Sequence, residues 1–288
     1  MPFESSVWIE ELYEMENGRT MKLKVTDKLA TYDSKFQRIE IYDTKAFGRM
    51  LVLDGVFMTT EVDEMGYHEM LAHVPMCVHP NPKRVLVIGG GDGGTLREVL
   101  KHKEVEKADI CEIDGDVIRL CREYMPALSC SFDDPRVTVY TEDGAKFIAE
   151  RKKAYDIILV DSSDPIGPAA VLFSEEFYKN LSECLDDDGI ASTQSESIFY
   201  HPNVIITLAQ YNKKFFKVPS YYFTMVPTYP SGMIGFSFCS KKYHPIKDLK
   251  EEKAKALTKH LRYYNPDIHR GAFALPQFIR SKLEGIIY

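Results

Sequence analysis

Residues 84–100 read RVLVIGGGDGGTLREVL, and in this stretch an apolar run, a glycine-rich turn and an amphipathic segment follow one another directly. The apolar run, residues 84–88, has the composition of a strand buried in a parallel sheet. The segment at residues 95–100 is typical of a helix, and glycines between a strand and a helix allow a sharp turn and a close approach of the backbone to a ligand. The stretch therefore predicts the first strand, loop and helix of a Rossmann-like domain that binds its ligand at the loop.

The same alternation of apolar runs and amphipathic segments continues along residues 108–216, from ADICEID through YDIILVDSS to NVIITLAQYNKKFF. Such alternation predicts an α/β fold with a doubly wound sheet, in which the helices supply the crossovers. Residues 221–241 give two further strands around a Pro-Ser-Gly turn. We expect these to form the antiparallel pair that closes a methyltransferase-type Rossmann-like sheet.

The chain before this domain has a different pattern. Residues 20–63 read as successive β-hairpins with a turn at residues 45–48, and they predict a small antiparallel sheet. The next stretch, EMGYHEMLAHVPMCV, has the apolar spacing of a helix and stops at HPNP, where two prolines interrupt regular structure. We predict an N-terminal antiparallel β domain at residues 1–65 and a Rossmann-like domain at residues 66–288; the family resemblance described below implies oligomerisation for the first and catalysis for the second.

The overall composition limits the class of partner. The chain has 288 residues, a formal net charge of −7 and six cysteines with no CxxC pair. The net negative charge argues against a nucleic-acid partner, because phosphate binding depends on clustered Lys and Arg. No apolar run approaches the length of a membrane span, and the acidic start of the chain lacks the order of a signal peptide. We therefore expect a cytoplasmic enzyme with reduced cysteines and small-molecule substrates, without a nucleic-acid or membrane partner.

Carboxylates occupy the ligand-binding ends of the first two predicted strands. Asp92 lies inside the glycine loop, where a negative charge disfavours a phosphate and favours a cation, so the loop suits an adenosyl sulfonium better than a dinucleotide. Glu112 follows Asp92 by 20 residues, the offset at which an acidic residue meets ribose hydroxyls in such domains. We predict Glu112 as the ribose ligand.

The third and fourth strands also end in acidic residues. Asp143, beside Gly144, could accept a hydrogen bond from an adenine amino group, or it could cap the next helix, and the spacing alone does not decide between the two. The fourth strand ends in DSSDP, which carries Asp161 and Asp164. Ligands of open α/β sheets bind beyond the carboxyl ends of the strands, so all these carboxylates should converge on one crevice that holds a cationic ligand.

A sulfonium donor and an alkyl amine acceptor would suit such a crevice. The amine must be neutral to attack, and removing a proton at pH 7 from a group of pKa ~10.4 costs about 4.6 kcal/mol. An ammonium ~4 Å from a sulfonium is opposed by about 4 kcal/mol at an effective dielectric of ~20, which carboxylates can offset. Asp161 and Asp164 fit the roles of base and counter-charge. The leaving group is a neutral thioether, so neither a metal nor a bound cofactor is required.

Several of these motifs, spread over nearly the whole chain, resemble those of the spermidine synthase family of polyamine aminopropyltransferases. They include LVLDGVFMTTEVDEMGYHEM, HPNPKRVLVIGGGDGGTLREV, DSSDPIGPAAVLF and PTYPSGMIGF. The resemblance implies transfer of an aminopropyl group from decarboxylated S-adenosylmethionine, as a cosubstrate, to putrescine, which gives spermidine and methylthioadenosine. It also implies a homodimer or homotetramer. The histidine in YHEM is the form common in bacterial and archaeal members.

The resemblance also implies roles for individual residues. Asp161 would accept the proton, with Asp164 as its partner in holding the diamine. Contacts to the thioadenosine moiety would come from Gln37, Glu112, Asp143, Gly144 and Pro168. Asp92 and His68 would lie near the aminopropyl and polyamine end. The amine channel would be lined by Tyr67, Gln194, Glu196 and Tyr229, with the second ammonium of the diamine anchored at its far end. Ser162 and Ser163 would begin a lid over the ligands that extends to Glu175.

Three other functions remain open from the residues alone. The nearest is an N-methyltransferase on the same scaffold, like the plant putrescine methyltransferases, which would use intact S-adenosylmethionine. Asp92 argues against it, because a carboxylate facing the donor tail should repel the carboxylate of the intact cofactor. The others are a catalytically silent binding protein, which would not need a base at the point of attack, and a dinucleotide-dependent oxidoreductase.

The histidines do not form a recognisable metal motif. His68 and His73 are five residues apart, which places them ~140° apart around a helix and disfavours a shared zinc ion. The remaining histidines have no partner pattern, and we expect surface or loop positions for all of them: His79, His102, His201, His244, His260 and His269.

Overall fold

The computed structural model describes residues 7–288, and the first part of this range is an antiparallel sheet. Its strands are β1 (Val7–Glu10), β2 (Lys22–Asp33), β3 (Arg38–Thr44), β4 (Gly48–Leu53) and β5 (Val56–Thr60). They pair in sequence order, and every neighbouring pair runs antiparallel. The hairpins predicted over residues 20–63 are therefore confirmed.

The second sheet is mixed and mostly parallel. Its strands are β6 (Arg84–Gly89), β7 (Lys107–Cys111), β8 (Val137–Tyr140), β9 (Tyr155–Asp161), β10 (Leu185–Gln194), β11 (Val218–Met225) and β12 (Met233–Ser240). Their order across the sheet is β11-β12-β10-β9-β6-β7-β8. The pairs from β10 to β8 are parallel, whereas β12 runs antiparallel to both of its neighbours. This is the Rossmann-like, methyltransferase-type fold that the sequence predicts, including the antiparallel closing pair.

Helices cover both faces of this sheet. Their bounds are α1 (Glu64–Val78), α2 (Gly94–Leu100), α3 (Gly115–Tyr124), α4 (Gly144–Ala149), α5 (Glu175–Cys184), α6 (Pro202–Phe215), α7 (Glu251–Leu257), α8 (Pro266–Ala272) and α9 (Gln277–Leu283). Successive side chains of β6 alternate between two buried clusters, because neighbouring residues of a strand point to opposite faces. Val85 and Val87 pack with the apolar side chains of α1 and α2, and Leu86 and Ile88 with those of α4 and α5.

The strand order reverses between β6 and β9. From β6 the chain proceeds outward through β7 and β8, then returns to the other side of β6 to form β9. The carboxyl ends of neighbouring strands diverge into a crevice at such a reversal, which is where open α/β sheets bind their ligands. The fold therefore brings the glycine loop after β6, Glu112 after β7 and Asp161 at the end of β9 to one edge of the sheet.

The N-terminal sheet packs on the same side of the molecule as this crevice. Ile39, Ile41 and Leu51 form a buried cluster with Val117 and Leu120 of α3. This packing brings the turn between β2 and β3, which carries Gln37, to the edge of the crevice. The division of the chain at residue 65 stays a prediction; the first sheet ends at Thr60 and α1 begins at Glu64. In the described range no helix combines the length and apolar character needed to cross a membrane.

The prediction that six histidines lie on the surface or in loops is wrong for His269, which is buried within α8. His79 and His102 do lie in loops, but both are also buried. Tertiary partners stabilise two of these rings. His102 Nε2 lies 2.9 Å from His73 Nδ1, and the His269 ring lies between the Tyr264 hydroxyl at 2.9 Å and the Pro245 carbonyl at 3.0 Å. A buried polar ring is tolerated when it is hydrogen-bonded, and the partners of His102 lie too far away in sequence to be recognised by local spacing.

Candidate active site

The loop after β6 brings two glycines against functional side chains. Gly90 has a φ of 68°, a left-handed value that glycine adopts without strain, and its N–H donates to the Asp161 carbonyl at 2.9 Å. A Cβ atom at Gly90 would lie 2.8 Å from Asp161 Oδ2, and one at Gly94 would lie 2.2 Å from the ring of His68. Glycine at these two positions therefore makes room for the carboxylate and the imidazole.

Asp161 ends β9 at the floor of the crevice. Its Oδ2 accepts a hydrogen bond from the Thr95 hydroxyl at 2.6 Å. Removal from solvent, together with the negative charge of Asp92, raises the pKa of Asp161 to about 6. A carboxyl group that titrates near neutral pH can exchange a proton with a substrate at modest cost, as a general base must.

Asp92 and His68 form a buried pair beside Asp161. His68 Nε2 lies 3.5 Å from Asp92 Oδ2, while the other oxygen of Asp92 accepts from the Gly94 N–H at 2.6 Å. Burial alone would raise the pKa of Asp92, but the charge of His68 brings it below the ordinary value. Burial alone would lower the pKa of His68, but Asp92 and Glu64 raise it well above the ordinary value. The pair is therefore an imidazolium and a carboxylate at neutral pH.

Glu112 and Gln37 lie on the other side of the glycine loop. Glu112 is buried, and its Oε1 accepts from the Asp114 N–H at 2.8 Å. Burial raises the pKa of Glu112 to about 7. Gln37 Nε2 donates to Asp114 Oδ2 at 3.0 Å, which links the N-terminal sheet to the start of α3. Both side chains line the crevice and present oxygen atoms to a polyol ligand.

Of the two interpretations that the spacing of Asp143 left open, the structure shows the helix cap, and the adenine contact stays a prediction. Asp143 Oδ1 accepts from the Ala145 N–H at 2.9 Å and the Lys146 N–H at 3.3 Å, so Asp143 is the N-cap of α4. It also lines the crevice next to Gly144. The segment after β9 covers this region as a 3₁₀ helix, Gly167–Phe173, which contains Pro168.

These residues surround a first cavity of about 1130 Å³, which is open to solvent and large enough for a nucleoside with a short tail. The predicted site residues that line it are Gln37, Tyr67, His68, Asp92, Glu112, Asp143, Gly144, Asp161, Ser162, Ser163, Pro168 and Tyr229. The structure thus brings together every residue assigned to the thioadenosine and aminopropyl contacts.

A second cavity of about 530 Å³ adjoins the first, and Tyr67, Ser162, Ser163 and Tyr229 line both. The other predicted residues in the second cavity are Asp164, Gln194 and Glu196. Gln194 Nε2 donates to Asp164 Oδ1 at 3.3 Å. Burial and the neighbouring Glu196 raise the pKa of Asp164 well above its ordinary value. Glu196 has a left-handed φ of 67°, which a non-glycine residue adopts only where the surrounding structure holds it.

One wall of the second cavity was not predicted from the sequence. It is contributed by the segment between β1 and β2 and by the start of α6, through Glu11, Tyr13, Glu14, Tyr200 and His201. The acidic residues of the N-terminal segment were visible in sequence, but no local pattern connects them with Glu196. Two supporting residues at the first cavity, Glu64 and Thr95, were missed for the same reason.

Several polar atoms facing the two cavities have no hydrogen-bond partner within residues 7–288. They include Glu11 Oε2, Tyr67 Oη, Ser162 Oγ and Gln194 Oε1. Glu14 Oε1 and His201 Nδ1 also have no hydrogen bond in this range, although both lie at ion-pair distance from a partner. Buried polar atoms are normally paired, so an unpaired group in a cavity wall is available to a ligand. Of the first four atoms, Glu11 Oε2 and Gln194 Oε1 are acceptors and the other two belong to hydroxyls, which suits a ligand with several N–H donors.

Comparison with known proteins adds independent information. The family model described as "Spermine/spermidine synthase domain" matches residues 64–251, and the one described as "Spermidine synthase tetramerisation domain" matches residues 7–61. A polyamine aminopropyltransferase of Leptospira biflexa is 47% identical over 96% of this chain and 98% of its own length. One from Methanocaldococcus jannaschii is 46% identical over 98% of this chain and 97% of its own length.

Two solved structures are similar over almost the same range. A spermidine synthase in complex with the transition-state analogue AdoDATO superimposes with a TM-score of 0.94 at 44% identity, covering 98% of this chain and 96% of its own. The spermidine synthase from Thermotoga maritima superimposes with a TM-score of 0.92, also at 44% identity and with the same coverage of both chains.

Proposed function

Because this chain belongs to the spermine/spermidine synthase family, and is therefore a transferase, we propose that it moves the aminopropyl group of decarboxylated S-adenosylmethionine to putrescine. The products are spermidine and methylthioadenosine. The observation that carries the proposal is the pair of adjoining cavities, with the Asp92–His68 pair and Asp161 in the first and carboxylates at the far end of the second.

The first cavity binds the donor. Glu112 accepts hydrogen bonds from the ribose hydroxyls, and the Asp143–Gly144 turn, Gln37 and Pro168 contact the thioadenosine moiety. Asp92 attracts the ammonium at the end of the aminopropyl chain. Intact S-adenosylmethionine has a carboxylate on this tail, which Asp92 repels, so the decarboxylated donor is favoured.

The second cavity receives the acceptor. Putrescine is a diammonium ion, and the two cavities present carboxylates at both ends of the route between them, at Asp161 and at Asp164 with Glu196. Tyr67 and Tyr229 line the apolar middle of this route and pack against the methylene groups. Gln194 and Glu196 hold the distal ammonium, so that the proximal nitrogen lies against Asp161.

The reaction is a direct displacement. Asp161 takes the proton from the attacking ammonium, and the nitrogen lone pair forms a bond to the aminopropyl carbon attached to sulfur. The carbon–sulfur bond breaks, and its electron pair returns to sulfur as methylthioadenosine leaves. The leaving thioether is neutral, so the step calls for no metal or cofactor; the acceleration comes from proton transfer and in-line positioning.

Two further parts of the fold contribute. The segment from Ser162 to Glu175 covers both ligands and excludes water during the transfer. We also propose a homo-oligomer formed through the N-terminal sheet, because this part of the chain matches the tetramerisation family model. In β1 the exposed fractions of Val7 and Trp8 are 55% and 56%.

The test is a mass-spectrometric assay of the purified protein with either decarboxylated or intact S-adenosylmethionine, each combined with putrescine, agmatine or spermidine. Spermidine and methylthioadenosine from the decarboxylated donor are the expected products. Methylputrescine from the intact cofactor would instead identify a methyltransferase. Binding of methylthioadenosine without any product would identify a silent binding protein.

A further inference from the structure

His201 lies between two buried carboxylates at the far end of the second cavity. Its Nε2 is 2.6 Å from Glu14 Oε1, and its Nδ1 is 2.5 Å from Glu196 Oε2. Burial alone would lower the pKa of His201, but Glu196 and Glu14 raise it above the ordinary value. The two carboxylates therefore favour the imidazolium form of His201, whose charge offsets part of theirs.

Several carboxyl groups surround this imidazolium. Glu11, Glu14, Asp164 and Glu196 all line the second cavity. Glu11 is buried, its Oε2 has no hydrogen-bond partner within residues 7–288, and burial raises its pKa. Arg19 donates to Glu14 Oε2 through Nε at 2.9 Å, which leaves Glu14 Oε1 to His201.

Neighbouring contacts hold the histidine in this position. Its backbone N–H donates to the Ser197 carbonyl at 2.9 Å, just before α6 begins at Pro202. The ring of Tyr13 packs on the imidazole with a centroid distance of 5.4 Å. Arg19 lies over the ring of Tyr200, 3.8 Å from its centroid, and closes the same side. The imidazolium is thus a fixed part of the cavity wall.

We propose that His201 determines the length of amine that this enzyme accepts, by occupying with its own positive charge the position at which the third ammonium of a triamine would bind. A diamine places its distal nitrogen at Asp164, Gln194 and Glu196 and does not reach further. The additional ammonium of spermidine extends beyond these residues toward Glu14, where it meets a cation of like charge. Repulsion of this kind lowers the affinity for spermidine without raising the affinity for putrescine. The inference rests on the proposed function.

The experiment compares kcat/KM for putrescine and spermidine as acceptors, with decarboxylated S-adenosylmethionine as donor, in the wild type and in two classes of variant. His201→Asn removes the charge, and His201→Gln does so with a longer side chain in case the first variant is unstable. His201→Lys keeps a positive charge at the same place. Thermal unfolding and methylthioadenosine binding show that each variant is folded with an intact donor site.

The neutral variants should raise the ratio of spermidine to putrescine kcat/KM by at least about tenfold, because one like charge is removed. His201→Lys should keep the wild-type ratio. A neutral, folded variant that still transfers to putrescine with an unchanged ratio would overturn the inference, and so would an equal rise in His201→Lys, which would assign the effect to shape. Absence of transfer to any amine by the wild type would overturn the proposed function itself.

Discussion

His68 Nδ1 lies 2.7 Å from Glu64 Oε2, and Arg97 Nη2 approaches the same carboxylate oxygen at 2.7 Å. Arg97 in turn donates to Glu98, which contacts His73 at 2.9 Å. This buried chain of charges fixes the imidazole of His68 with its second nitrogen facing Asp92. Glu64 is thus a positioning residue for His68, the imidazolium that lies beside Asp92.

The variant Glu64→Gln should destabilise the protonated form of His68, because Glu64 is one of the carboxylates that raise the pKa of this ring. We expect kcat to fall by about 10- to 100-fold, the range in which loss of an oriented partner affects a site. The pKa of His68 should fall toward its ordinary value, so the pH profile of kcat/KM should gain a new dependence near neutral pH. Glu61→Gln, outside both cavities, is the matched control. A parallel loss in both variants without a changed pH profile would argue for a general structural defect.

Replacement of the proposed base should abolish transfer while sparing donor binding. Asp161→Asn keeps the size of the side chain but cannot accept the proton, and general bases contribute typically 10²- to 10⁴-fold. We expect a loss of kcat of about 10³-fold with the methylthioadenosine Kd changed by less than about threefold. The exposed pair partner Asp133 offers the control variant Asp133→Asn. Nearly full activity in Asp161→Asn would assign the base elsewhere.

The pKa of Asp161, about 6 in the free protein, determines whether activity rises or falls with pH. The carboxylate form is active, so kcat/KM should be constant above this value and fall about tenfold per unit below it. Bound ammonium and sulfonium groups favour the carboxylate, so the corresponding limb in kcat should lie at lower pH. Because the charge of Asp92 raises the pKa of Asp161, the observed value belongs to the two interacting groups together. A profile rising toward acid pH would contradict the assignment.

Donor discrimination should depend on Asp92. In Asp92→Asn the repulsion of the intact cofactor is removed together with the attraction for the aminopropyl ammonium. Binding of the decarboxylated donor should weaken, and that of intact S-adenosylmethionine should strengthen, so that their ratio changes by about tenfold or more. Isothermal titration with each donor measures both constants. An unchanged ratio would show that another residue selects the donor.

Donor binding should release protons from Glu112. Its pKa is raised to about 7, so about half of the molecules carry a proton there at pH 7, and ribose hydroxyls favour the carboxylate that accepts their hydrogen bonds. Binding of methylthioadenosine at pH 7 should release up to about half a proton, and almost none at pH 9. The buffer dependence of the binding enthalpy gives this number, and Glu112→Gln should eliminate it.

The sequence predicted those parts of the site that local pattern controls. The glycine loop predicted the position of Asp92. The ends of the predicted strands indicated Glu112, Asp143 and Asp161, because the carboxyl ends of parallel strands lie at the same edge of the sheet. Roles for Gln37 and Glu196 came only through resemblance. The cavity wall formed by Tyr13 and His201 was predicted neither from local pattern nor from the resemblance. The Tyr13 hydroxyl donates to Glu196 Oε1 at 3.4 Å although the two residues are 183 positions apart in the sequence, and no periodicity encodes such a contact.

The acceptor end of the second cavity and the N-terminal sheet share one stretch of backbone. β1 ends at Glu10, and the next residues, Glu11, Tyr13 and Glu14, are walls of the cavity. Under the proposed function, a displacement of β1 would therefore also displace a wall of the cavity assigned to the amine. A chain that lacks the residues before position 15 should keep the lining of the first cavity, which begins at Phe36, and lose part of the wall of the second.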